Sequence, residues 1–128
     1  MLQRWICLLA LAVLVPGCMT TNSITNLTPR TLPRSADGLY PIEARWDSNQ
    51  RSIREDSFTP YVLVGTDFYP MVRTPLTVNR WEALVPIPAS QKFLTYRFKF
   101  DYLYNGIPAR RPDSKLSQGY QIELTENP

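Results

Sequence analysis

The sequence predicts an all-β domain, an antiparallel sandwich of six or seven strands, behind an N-terminal export segment. Three observations carry this. Apolar residues recur with period two from Gly38 onward, as in strands that bury one face. Gly, Pro and an Asn-Gly pair punctuate these runs at short intervals. No stretch of the same region holds a convincing helical period. Sheets that are apolar on one face must cover each other, and a two-sheet sandwich is the simplest way to do so.

The elements follow in order. Met1 to Arg4 are a short basic start, and residues 5–15 are an unbroken apolar run of eleven that Pro16-Gly17 close just before Cys18. An export signal has a positive start, an apolar centre of about 7–15 residues and a small-residue cut site. A spanning helix needs about 20 apolar residues, so this run is too short to remain as one. Residues 19–34 are rich in Thr, Asn, Ser and Pro, the composition of a tether that would reach roughly 22 Å. The alternative is a short first strand at 24–27, stopped by Pro29 and Pro33.

Tyr40, Ile42, Ala44 and Trp46 alternate with Pro41, Glu43 and Arg45, and Pro41 marks a strand start or an edge. Residues 48–57 are polar and read as a loop. Tyr61 to Val64 are continuously apolar, Gly65-Thr66-Asp67 turn the chain, and residues 68–72 return as a hairpin. Trp81, Ala83 and Val85 alternate with Glu82 and Leu84 until Pro86 and Pro88 end the strand. Residues 93–104 give the strongest signal. Leu94, Tyr96, Phe98, Phe100, Tyr102 and Tyr104 share one parity, while Thr95, Arg97, Lys99 and Asp101 share the other. Asn105-Gly106 is a turn pair. A long basic connection with Pro108, Arg110, Arg111 and Pro112 then leads to a last strand at 120–125.

Composition limits the chemistry. The net charge of +3 is too mild for nucleic acid, which draws on a strong basic patch. Histidine is absent, which removes the commonest general base and the Ser-His-Asp arrangement. Cys7 falls in the signal and Cys18 at its end, so the folded part would lack a disulfide. Zinc sites draw mostly on Cys and His, and Asp47-Ser48-Asn49 is only a fragment of a calcium loop. No metal site, cofactor or catalytic residue is therefore expected. Glu55-Asp56 sits beside Arg51 and Arg54 and reads as a solvated mixed-charge loop. A small carboxylate hydrolase would need two acids in one cleft, such as Glu82 with Asp101.

Val15-Pro16-Gly17-Cys18 resembles the lipobox of bacterial lipoproteins, with an aliphatic residue three before the cysteine and a small one directly before it. Pro16 departs from the small residue usual between them. The resemblance implies that residues 1–17 are removed as a signal peptide and that Cys18 carries a diacylglycerol and an acylated amino group. Several acyl chains hold a protein at a membrane stably, where one does not. Met19, in place of Asp, implies outer-membrane sorting if the cell is Gram-negative. Residues 18–37 would then be the lipidated cysteine and its tether, and 38–128 the folded domain. That domain loosely resembles immunoglobulin-like domains of the early-set type, as found in accessory modules of envelope proteins and glycan-acting enzymes. Residues 40–46, 61–64, 81–85, 93–104 and 120–125 carry the likeness, without the Cys…Trp…Cys signature of antibody domains.

The function expected is a lipid-anchored protein of the cell envelope with a non-catalytic interaction or structural domain. Its partners would be the membrane through Cys18 and an envelope protein or a polysaccharide. Two candidate surfaces follow from the residues. Arg97, Lys99, Arg110 and Arg111 are a basic set for anionic lipid, lipopolysaccharide or an acidic partner. Trp46 and Trp81 are a glycan-stacking pair, although their alternation favours a place in the core.

Overall fold

The chain forms ten strands in the computed structural model, which describes residues 19–126. The signal segment expected at 1–17 and the lipidation expected at Cys18 lie outside the described residues. The strands are β1 (Asn22–Asn26), β2 (Thr31–Pro33), β3 (Leu39–Ser48), β4 (Thr59–Val64), β5 (Asp67–Pro70), β6 (Val72–Arg73), β7 (Arg80–Pro86), β8 (Phe93–Tyr104), β9 (Arg111–Leu116) and β10 (Tyr120–Thr125). One short 3-10 turn, Glu55–Ser57, precedes β4.

The strands form two sheets. One has the order β1-β3-β7-β6, and the other the order β2-β10-β8-β4-β5, with β9 also paired to β8. All pairs are antiparallel except β2 with β10. This is a two-sheet β-sandwich, with β3 and β7 central in one sheet and β8 central in the other. The core lies between the sheets. Tyr40, Ile42, Ala44 and Trp46 of β3 face Leu94, Tyr96, Phe98, Phe100 and Tyr102 of β8, all of them buried. Phe100 stacks on Trp46 with centroids 5.2 Å apart and meets Trp81 edge-on at 6.3 Å. Such ring pairs add stability beyond the apolar area they remove from water.

Pro41 sits inside β3 without harm. Leu27 N–H donates to the Glu43 carbonyl, so odd positions of β3 face the β1 side. β1 pairs only with residues 44–48 of β3, so the missing Pro41 N–H falls where no neighbour needs it.

Two regions differ from the expectation. The tether of 18–37 contains β1 and β2, and the strand expected at 24–27 runs over Asn22–Asn26. Pro33 does not stop β2. Arg30 and Arg34 bond to β10 on either side of it, which leaves its missing N–H on the free edge. The basic connection after Asn105-Gly106 contains β9. β8 is twelve residues long, and β10 covers only residues 93–96 of it. The polar backbone of residues 99–104 needs a partner, and β9 supplies it. These additions, with the two-residue β6, raise the count from six or seven strands to ten.

Candidate functional site

The outward face of the larger sheet is assembled by register. Arg97 opposes Leu63 of β4, and Leu63 opposes Phe68 of β5. Lys99 lies between Tyr61 on one side and Leu116 of β9 on the other. Six side chains thus share one outer surface. Phe68 and Leu116 are about half exposed, and the Tyr61 and Phe68 rings meet edge-to-face at 5.7 Å. A shallow concavity of about 550 Å³ lies among Leu63, Thr95, Arg97 and Leu116. Lys99 is held by Asp101 at 3.2 Å, whereas Arg97 makes no ion pair among the described residues.

Arg110 and Arg111 are elsewhere. Arg111 opposes Tyr104, roughly 23 Å along β8 from Arg97 at the usual strand rise. Its guanidinium donates to the Ile107 carbonyl at 3.3 Å. Arg110 lies close enough to Asp56 to add to the pull of Arg54, whose hydrogen bond holds that carboxyl below its usual range. The expected basic set is therefore two groups, one on the outer sheet face and one where the β8–β9 loop enters β9.

The tryptophans are core residues. Trp46 is 4% and Trp81 8% exposed. Trp46 is covered by Phe58, Phe100 and Tyr102. The Arg73 guanidinium sits 4.6 Å over the Trp81 ring. Neither ring offers a sugar a free face, because alternation turned both inward. They contribute to the wall of a concavity of about 480 Å³ at the end of the sandwich, together with Arg51, Glu55, Phe58 and Asn79.

The acids do not converge. Glu82 opposes Val72 and Glu43 on the outer face of the smaller sheet, while Asp101 opposes Thr59 and Ser114 on the outer face of the larger one. The sandwich separates them, so they form no common cleft. Asp47 is paired with Arg45 at 2.8 Å, and Asn49 binds the backbone of residues 19–21. Among the described residues no three His, Cys, Asp or Glu side chains come together in a metal-binding group.

Sequence reasoning missed the apolar half of the outer face. Its signal was the unbroken run Tyr61-Val62-Leu63-Val64. A strand with apolar residues at both parities has one more apolar face than the core uses. No family model, curated protein or solved structure matches the chain.

Proposed function

We propose that this protein is a lipid-anchored component of a bacterial cell envelope whose immunoglobulin-like domain binds another envelope protein. The observation that carries the reading is the outer face of β4, β5, β8 and β9, where Tyr61, Leu63, Phe68 and Leu116 lie around an Arg97 that makes no ion pair among the described residues. Protein interfaces are enriched in aromatic residues and arginine at an apolar centre and depleted in other charges there. Lys99, tied to Asp101, supplies the polar rim. The lipobox supports the location, since Cys18 directly precedes the described domain.

The test uses the full chain in the cells that make it. Labelled fatty acid should enter the protein and fail to enter the Cys18→Ser variant. A photo-crosslinking residue at Phe68 should capture one protein repeatedly, and Arg97→Glu should abolish the adduct. The same probe at Leu84, exposed on the opposite sheet, should capture none. Equal capture from both faces would remove the assignment of the surface. Recovery of wall fragments from Phe68 would replace the protein partner with a polysaccharide.

A further inference from the structure

The four most exposed large apolar side chains among the described residues are Met19 at 80%, Leu76 at 107%, Val78 at 78% and Ile107 at 91%. They come from three separate parts of the chain, yet they share one end of the sandwich. Leu76 and Val78 are in the β6–β7 loop, whose foot, Arg80, opposes Arg45 near the end of β3. Ile107 is in the β8–β9 loop, and Asn105 N–H ties that loop to the Ser52 carbonyl just beyond β3. Met19 is fixed at the same place. Asn49 Nδ2 donates to the Met19 carbonyl at 2.9 Å, Asn49 N–H donates to the Thr21 carbonyl at 3.1 Å, and Thr21 N–H donates to Asn49 Oδ1 at 2.7 Å.

Covalent geometry then locates the anchor. Consecutive Cα atoms are about 3.8 Å apart, so Cys18 cannot lie further than that from the Cα of Met19. The chain leaves no long leash between the acylated residue and the folded end. The β6–β7 loop also holds its apolar tips outward at a local cost. Leu76 and Asn79 both have φ of 61°, a region that favours glycine, and Thr74 Oγ1 and Arg80 Nε are buried without hydrogen-bond partners among the described residues. Arg51 and Arg110 flank this end and are exposed, with the charge that anionic headgroups attract.

We propose that this end of the domain lies directly on the phospholipid surface, with Leu76, Val78 and Ile107 entering the headgroup and upper acyl region. The inference rests on acylation of Cys18. It sets the long axis of β8 across the membrane surface rather than along it and leaves the Arg97–Phe68 face pointing sideways to a partner.

The experiment uses the acylated full chain in vesicles of phosphatidylcholine with phosphatidylglycerol as the minor lipid, with brominated lipid as quencher. A fluorophore is attached to Leu76→Cys, Ile107→Cys or Thr66→Cys, one at a time. Thr66 is in the β4–β5 turn at the opposite end. Quenching at positions 76 and 107 should exceed that at 66 several-fold. Equal quenching at all three positions, with an acylated Cys18 verified by mass, would overturn the inference and leave the anchor standing. A Cys18 that carries no acyl chain would overturn both. The two loops report independently, so a folding defect in one variant would not decide the result.

Discussion

Phe100 shows what a single side chain carries in this core. It is fully buried and touches Trp46, Phe58 and Trp81. Phe100→Ala would lose that transfer energy and leave a cavity among rigid rings, which costs about 3–5 kcal/mol in comparable cores. Urea unfolding should show the loss as a lower midpoint with an unchanged slope. Leu76 has the opposite relation to stability. It buries nothing and holds φ at 61°. Leu76→Asn should raise stability by about 1 kcal/mol, since Asn tolerates the left-handed region better than Leu. The same substitution should weaken contact with lipid. A residue that is costly to the fold and useful at the membrane would show both effects together. A variant with neither would mean that Leu76 is an ordinary exposed loop residue.

Hydroxyl side chains complete the ladder at three places where a strand breaks. Between β1 and β2 the chain crosses from one sheet to the other, and Thr28 Oγ1 accepts the Glu43 N–H at 2.9 Å and donates to the Glu43 carbonyl at 3.2 Å. Between β9 and β10, Ser117 Oγ accepts the Phe98 N–H at 2.8 Å. Just before β4, Ser57 Oγ accepts the Leu103 N–H at 2.9 Å. Thr28→Val and Ser117→Ala should each cost about 1–3 kcal/mol by leaving a backbone donor unpaired. Ser114→Ala, on the exposed face of β9, should change stability by less than about 0.5 kcal/mol. Chemical unfolding of the three variants separates the two classes. This is also why β1, β2 and β9 were hard to read. A serine that repairs a ladder looks in sequence like any loop serine, and β9 exposes all six of its residues, so no alternation marks it. β8 was legible because its rings occupy one parity. Parity also put Arg97 and Lys99 on one face. Their distance from Arg110 and Arg111 depends on the register of β8 against β9, which no local pattern encodes.

The two sheets are joined by more than apolar contact. Tyr96 and Tyr102 leave β8 in the larger sheet and reach β1 in the smaller one. The Tyr96 hydroxyl donates to Asn26 Oδ1 at 3.1 Å, and Asn22 Nδ2 donates to the Tyr102 hydroxyl at 2.9 Å. These links fasten β1, the first strand of the described chain, to the centre of the fold. They also give the molecule an alkaline limit. Burial pushes both phenols above their ordinary value of 10.0, and for Tyr102 the nearby Asp113 carboxylate adds to the shift. The folded state then holds protons that the unfolded state releases. Stability is fully present below the unfolded tyrosine value and falls as pH rises from about 10 through the raised folded values. Ionised Tyr96 would face Asn26 Oδ1 with no proton to share, and ionised Tyr102 would face Asp113. The midpoint of urea unfolding should therefore drop above about pH 10, and the drop should be shallower for Tyr96→Phe with Tyr102→Phe. The double variant starts lower at neutral pH, because it lacks both cross-sheet bonds, so the slope with pH is the diagnostic quantity. An equal alkaline slope in the double variant would assign the limit to other groups and confine these tyrosines to packing.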